Sequence, residues 1–144
     1  MEFKVIPVHE KELYEVAEDF HVSVDGVDIW VPRGFQYDGA SIPAFAWQVV
    51  YTPFNPKVMI PAVAHDWQYH SHQVDREKAD ELFYILLKQQ GVSESKSWTM
   101  YQAVRIAGEL YWPNDDEDIE KLKALYEIHR DKTDIGKFFF PTGL

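Results

Sequence analysis

Hydrophobic and polar residues follow one period in the first part of this chain and another in the rest. Within residues 20–24 they alternate strictly, and after an Asp25-Gly26 pair the residues Val27, Ile29 and Val31 alternate with Asp28 and Trp30. This pattern predicts an antiparallel hairpin. Shorter runs at residues 3–6 and 13–17 predict two more strands. We therefore predict a small N-terminal antiparallel β-sheet over about residues 3–31.

Further along, apolar residues recur three and four positions apart, which predicts helices. Two helices, over residues 61–70 and 75–87, are joined by a short polar link, so we expect them to pack antiparallel. A third is predicted over residues 93–111, and a fourth runs from an acidic first turn to cover residues 115–130. The predicted class is α+β, with the sheet packed on a bundle of about four α-helices.

The length of 144 residues fits one domain, residues 1–144. We expect β-hairpins over residues 1–36, an irregular loop segment over 37–56, helices over 57–130 and a C-terminal tail over 131–144. The irregular segment is interrupted by prolines and glycines, and a segment of this kind in a small domain is often functional.

Composition excludes several classes of function. The net charge of −10 argues against nucleic acid as a partner, because that binding depends on cationic contacts with phosphates. The absence of cysteine excludes disulfides and thiolate metal ligands. No run approaches the ~18 apolar residues of a transmembrane segment, and the N-terminus lacks the apolar stretch of a signal peptide. We expect a soluble protein.

The strongest candidate chemistry lies on the first two helices. Residues four apart on a helix share a face, so His65 lies over Tyr69, and the antiparallel partner brings Asp80 or Arg76 to the His65-Asp66 turn. A carboxylate behind one imidazole nitrogen fixes the tautomer and leaves the other nitrogen as a base. The alternative is a buried structural network in which Asp66 pairs with Arg76 and Tyr69 caps the histidine.

A metal hypothesis uses neighbouring residues. Asp66 and His70 have the i, i+4 spacing that lets two side chains converge on one ion, and Asp38 is a third candidate ligand. Calcium is favoured over zinc, because the chain is acidic and has no H-E-x-x-H motif. The loop with Asp38, Gly39 and Ser41 either presents groups to this site, with Ser41 as a candidate nucleophile, or is a tight turn that caps a helix.

Four motifs occur in a fixed order between residues 31 and 108. They are V-P-x-G-F-x-x-D-G-A-S-I-P at 31–43, A-H-D-x-x-Y at 64–69, R-x-x-A-D-x-x-F at 76–83 and M-Y-x-A-V-R-x-x-G at 100–108. Together they resemble a family of small uncharacterised proteins of tailed bacteriophages and prophages. The resemblance implies a phage or prophage origin and a location in the virion or the host cytoplasm, and it implies no activity.

The H-D-x-x-Y stretch is also similar to the histidine-bearing helix of phospholipase A2. This resemblance implies that His65 is the base, that Asp66 binds calcium with the loop at Gly39, and that Asp75 or Asp80 supports the histidine. The chain departs from that pattern because it has no disulfides and its loop is less glycine-rich.

Two functions follow as hypotheses. The first is a phage accessory hydrolase that acts on an ester or amide of the host envelope, with His65 at the centre of its site. The residues assigned around His65 are Asp66, Asp80, Tyr69, Arg76 and Asp75. The second is a non-catalytic virion component of the tail or neck, or a protein that binds a host protein. In it the polar cluster is structural and the apolar tail at 138–140 forms the interface.

Overall fold

A computed structural model of the protein describes residues 4–8, 13–37, 42 and 56–112, which fall into two compact units. The described strands belong to the first unit, and the described helices together with Ile42 belong to the second. The presence of antiparallel sheet and of α-helices confirms the predicted α+β class. A single domain and the packing of the sheet on the helices stay predictions.

The first unit contains five described strands in two antiparallel sheets. They are β1 (Val5–Val8), β2 (Leu13–Val16), β3 (Phe20–Val24), β4 (Val27–Val31) and β5 (Gln36–Tyr37). β2 lies between β1 and β5 in one sheet, and β3 pairs with β4 in the other. The short strand β5 lies at the start of the segment that was expected to be irregular. It pairs with β2, and two backbone hydrogen bonds lie next to this pairing. The N–H of Gly34 donates to the carbonyl of Val16 at 2.8 Å, and the N–H of Val16 donates to the carbonyl of Phe35 at 2.9 Å.

The β3–β4 hairpin confirms the prediction made from alternation. Asp25 and Gly26 have φ angles of 49° and 76°, the two positive values that a two-residue type I′ turn requires. This turn sets a register in which Phe20 faces Val31 and Val24 faces Val27. One face buries Phe20, Val24, Ile29 and Val31, and the opposite face of the hairpin carries His21, Ser23, Asp28 and Trp30.

The second unit contains three described α-helices, where about four were predicted for the chain. They are α1 (Pro56–Ser71), α2 (Arg76–Gln89) and α3 (Glu94–Ala107), and a 3₁₀ turn at Gly108–Leu110 follows α3. The helix predicted over residues 115–130 and the C-terminal tail lie outside the described residues. No helix in the described part of the chain is long and apolar enough to span a membrane.

Helix α1 begins at Pro56, one residue before the segment 57–130 that was predicted to be helical. Pro61 lies inside the helix, where its missing N–H removes one intrahelical hydrogen bond. Residues 61–69 are all buried, so this part of α1 is enclosed on every side and is not the amphipathic segment that was predicted. The polar side chains His65, Asp66 and Gln68 are among these residues, and burial is costly for each without a partner.

The three helices run antiparallel in succession, as predicted for the first pair. Tyr69 near the end of α1 contacts Asp80 near the start of α2, and Arg76 at the start of α2 contacts the carbonyl groups at the end of α3. One apolar cluster joins all three helices: Ile42, Val58, Ala62, Phe83, Leu87, Met100, Ala103 and Val104. The α2–α3 link turns at Gly91, whose φ of 93° suits a residue without a side chain.

Asp75 is the N-cap of α2, not a support for His65 as one form of the resemblance implied. It is exposed, and its carboxylate accepts a hydrogen bond of 2.8 Å from the backbone N–H of Lys78. A cap of this kind contributes stability because it satisfies a backbone donor that has no partner within the helix.

We expect Asp75→Ala to lower the free energy of unfolding by about 1 kcal/mol, because the N-cap acceptor is lost. Asp75→Ser should keep most of that stability, since a serine hydroxyl caps equally well. Urea denaturation followed by circular dichroism measures both variants. A loss of more than about 3 kcal/mol in Asp75→Ala would instead place Asp75 in a buried ionic network.

Candidate functional site

The polar centre of the helical unit is the carboxylate of Asp80, whose side chain is fully buried on α2. Its Oδ1 lies 2.8 Å from Nε2 of His65 and accepts a hydrogen bond of 2.7 Å from the hydroxyl of Tyr69. His65 and Tyr69 are four residues apart on α1, so both project from one face of that helix toward α2. Two donors from α1 therefore meet at one carboxylate oxygen.

The second oxygen of Asp80 faces two arginines. Nη1 of Arg105, at the end of α3, donates to Oδ2 at 2.8 Å. Nη1 of Arg76 lies 3.6 Å from the same oxygen, one turn before Asp80 on α2. Arg76 also donates to the backbone carbonyls of Val104 and Arg105, both at 3.2 Å, and so ties α2 to the end of α3. Groups from all three helices thus compensate one buried negative charge.

These contacts keep Asp80 ionised and Tyr69 protonated. Burial raises the pKa of Asp80, but the hydrogen bonds from His65, Tyr69 and Arg105 outweigh burial and hold that pKa below its ordinary value. Burial, the hydrogen bond to Asp80 and its charge raise the pKa of Tyr69. Since the ionised carboxylate only accepts, Nε2 of His65 carries the proton that it donates to Asp80.

Aromatic rings enclose His65. Its ring centroid lies 4.3 Å from that of Tyr69 and 4.7 Å from that of Phe83, with tilts of 38° and 43°. Trp112 meets the Tyr69 ring edge-on, with the centroids 5.1 Å apart. No part of the His65 side chain is exposed. In this setting the imidazole is fixed in orientation and shielded from water.

Gly108 is part of this packing. A Cβ atom added there would lie far inside van der Waals contact with the Tyr69 hydroxyl, 3.2 Å from Cζ of Tyr69 and 3.0 Å from Nη1 of Arg76. The backbone φ is −64°, so the position does not need glycine for its conformation. It needs glycine because the tyrosine hydroxyl lies against the end of α3.

Four of the residues predicted for the site come together, namely His65, Tyr69, Arg76 and Asp80. Arg76 pairs with Asp80, which contradicts the predicted Asp66–Arg76 pair of the structural alternative. The reason is helical geometry, because Arg76 and Asp80 are four residues apart on one face. Asp66 is buried on α1 but takes no part in the contacts of Asp80.

The remaining predicted residues have different outcomes. Asp38, Gly39 and Ser41 are outside the described residues, so their assignment as a site loop stays a prediction. His70 is half-buried at the end of α1. Across residues 4–8, 13–37, 42 and 56–112, no three histidine, cysteine or acidic side chains are grouped so as to hold a metal ion.

Two residues of the network were not predicted as site residues. Arg105 and Gly108 belong to the M-Y-x-A-V-R-x-x-G motif. The helical pattern of this motif does not indicate that the end of α3 faces Asp80. The sequence did contain one signal for them. An arginine and a glycine stand three residues apart at the position where α3 ends. Their roles follow only from the packing of α3 against α2.

The chain belongs to the family described as "Protein of unknown function (DUF1353)", whose match covers residues 14–104. A relative in Sinorhizobium fredii, named "Uncharacterized protein y4jT", is 30% identical over 99 residues. That match covers 68% of this chain and only 30% of the relative, so the chain spans less than a third of the length of that protein. No solved structure matches the chain. Membership of an uncharacterised family is thereby confirmed, and the phage origin stays a prediction.

Gly108→Ala should lower the free energy of unfolding by about 1–3 kcal/mol, because the added methyl group collides with the Tyr69 hydroxyl. In a Tyr69→Phe background the same substitution should cost clearly less, since the nearest atom is gone. The coupling is read from urea denaturation of the two single variants and the double variant. Strictly additive losses would contradict the close approach.

Asp80→Asn should lower the free energy of unfolding at pH 7 by about 3 kcal/mol, because two arginines lose their buried counter-charge. The folded-state pKa of Asp80 lies below the ordinary value of 3.8, so its contribution is present above that pH. It is lost as the pH falls through the lowered pKa. The difference between wild type and Asp80→Asn should therefore shrink in acid, whereas the exposed control Glu81→Gln should show little difference at any pH.

Proposed function

We propose that the chain is a hydrolase in which His65 is the general base, acting on an ester or amide of a bacterial envelope. The observation that supports this most directly is the convergence of His65 Nε2 and the Tyr69 hydroxyl on one oxygen of Asp80. The phospholipase A2 resemblance implied a support of this kind for the histidine, with Asp75 or Asp80 as the supporting residue. Asp75 caps a helix, and Asp80 is the residue that contacts the histidine.

In this proposal the proton transfers take place at Nδ1 of His65, because Nε2 is engaged by Asp80. Nδ1 takes a proton from a water molecule while the water oxygen attacks the carbonyl carbon of the substrate. The tetrahedral intermediate then collapses and the bond to the leaving alcohol or amine breaks. That leaving group takes the proton from the imidazolium, and the products are a carboxylic acid and an alcohol or amine. A positioned base of this kind contributes on the order of 10²- to 10⁴-fold in rate.

Each neighbour of His65 has a role in that chemistry. The ionised carboxylate of Asp80 fixes the tautomer and stabilises the imidazolium while it exists. Tyr69 holds the carboxylate in place, and its raised pKa keeps its proton on the hydroxyl. Arg76 and Arg105 compensate the charge of Asp80, so the resting site tolerates burial. These four are positioning residues, because they act through His65.

Calcium belongs to the proposal through Asp66 and Asp38. Of the two, only Asp66 is among the described residues, and it is buried. One carboxylate is too few ligands for a calcium site, which takes about six to eight oxygen atoms. Asp38 and the loop at Gly39 lie outside those residues, and His70 is a nitrogen ligand that calcium does not prefer. Binding of calcium stays a prediction from the resemblance, and so do the phage or prophage role and the location in the virion or host cytoplasm.

A second candidate is a non-catalytic virion component or host-protein-binding protein, and a specific observation favours it. The side chains of His65 and Asp80 are both 0% exposed, and the carboxylate is met by two arginines as well as by His65. A dry and paired network is typical of a structural core, whereas an open cleft above His65 is typical of an enzyme. In this candidate the helical unit is a scaffold and the binding surface lies outside the Asp80 network.

Hydrolysis of phospholipid vesicles and of a soluble p-nitrophenyl ester separates the two candidates. We expect His65→Gln to reduce kcat by at least about 10²-fold, while Tyr69→Phe reduces it less. His21→Gln is the matched control, because His21 lies on the β3–β4 hairpin, in the other unit of the chain. Each variant is measured for stability beside activity, with and without added calcium. Asp66→Asn should remove any dependence on calcium.

If wild type releases no product above the blank and His65→Gln only lowers the free energy of unfolding, the hydrolase proposal is wrong and the structural candidate stands. If His65→Gln keeps full activity, the observed hydrolysis does not use this site. A loss of kcat at unchanged stability supports the proposal.

A further inference from the structure

A second feature of the helical unit lies on its outer surface and involves none of the residues around Asp80. Tyr84 on α2 and Trp98 on α3 meet at right angles, with centroids 6.0 Å apart and an interplanar angle of 79°. Tyr101, one turn after Trp98, lies 5.6 Å from the Tyr84 ring and 5.5 Å from the Trp98 ring. Trp98 is 52% exposed. An exposed aromatic cluster of this kind is unusual without a function.

A surface cavity of about 600 Å³ opens beside these rings, and Tyr84, Glu94, Ser95 and Trp98 line it. We call it the aromatic pocket. Two of its walls are aromatic rings, which are attractive to cations through their negative faces. A third wall carries the carboxylate of Glu94, which forms no ion pair with any residue in the described part of the chain. The pocket therefore combines apolar walls with one negative charge.

A cation already lies against this cluster within the protein. Nζ of Lys88 lies over the Tyr84 ring, 4.8 Å from its centroid. The contact demonstrates that the Tyr84 ring can be approached face-on by a positive charge. The net charge of −10 adds a general attraction for cations and repels anionic ligands.

We propose that the aromatic pocket binds a small quaternary ammonium ion. Such an ion has no N–H donors and is therefore weakly hydrated. It loses little hydration when it enters a pocket whose walls are aromatic rings and a single carboxylate. A primary ammonium is more strongly hydrated, so it gives up more hydration than a quaternary ammonium when it moves from water against these rings. Aromatic walls with a nearby carboxylate match the recognition of quaternary ammonium groups. This proposal does not depend on the activity proposed for His65.

The test is a titration of the ¹⁵N-labelled protein with tetramethylammonium chloride, observed through the indole N–H signal of Trp98. The signal is assigned by its loss in Trp98→Phe, because the chain has five tryptophans. We expect a saturable shift with a Kd on the order of millimolar, since cation–π contacts at exposed sites are weak. Sodium chloride at the same ionic strength and tert-butanol, a neutral ligand of similar shape, should give no saturable shift.

Three variants identify the pocket as the binding site. Glu94→Gln should weaken binding by roughly two- to fivefold and Trp98→Ala should abolish it, as read from backbone signals around Ser95. Lys88→Gln should strengthen binding, because it removes a cation that competes for the Tyr84 ring. Glu109→Gln is the matched control, since it removes the same charge from an exposed position outside the pocket.

Equal shifts with tert-butanol and tetramethylammonium would overturn the proposal and indicate an unspecific apolar groove. An unchanged affinity in Glu94→Gln would also contradict it, because the carboxylate then has no role. Trp98 is half exposed, so its replacement should leave the fold intact, and circular dichroism confirms this for each variant.

Discussion

The helical unit depends on one buried negative charge. Asp80 is fully buried between the three helices, and its carboxylate receives a histidine and a tyrosine from α1 and two arginines, one from α2 and one from α3. A lone buried carboxylate is unstable in an apolar interior, so the helices can pack only where these donors converge. The network therefore selects one relative arrangement of the three helices. Apolar packing supplies most of the favourable free energy, and Asp80 supplies the specificity.

Much of this was predictable from the sequence, and the limits have physical causes. The Asp25-Gly26 hairpin and the antiparallel α1–α2 pair followed from local signals, because turn chemistry and helical period act over a few residues. The meeting of His65 with Asp80 followed from the same period. Arg105 and Gly108 were missed, since their role depends on contacts with residues about 25 to 40 positions away. The burial of residues 61–69 of α1 on every side was also missed, because the polar residues of that helix suggested an exposed face.

The same helices present two different surfaces for chemistry. Toward the interior, Asp80 is paired with its neighbours and the side chain of His65 is fully buried, so any reaction there requires that a substrate reach His65. Toward the outside, Tyr84, Trp98 and Tyr101 form an accessible aromatic cluster whose rings have no role in the Asp80 network. A catalytic function would use the first surface and a binding function the second. The two are compatible in one protein, since the inner network fixes the helices on which the outer rings are mounted.

The position of Arg105 has a consequence for how the chain folds during synthesis. Asp80 meets its α1 donors as soon as α1 and α2 pair, but Arg105 lies 25 residues further along and becomes available only after α3 has left the ribosome. Until then a paired α1–α2 hairpin encloses a carboxylate without its closest cation. Such an intermediate is poorly stabilised, so the three helices should form their native packing in one cooperative step. Truncation before residue 94 therefore leaves a chain that cannot complete its core, even though two of its three helices are present.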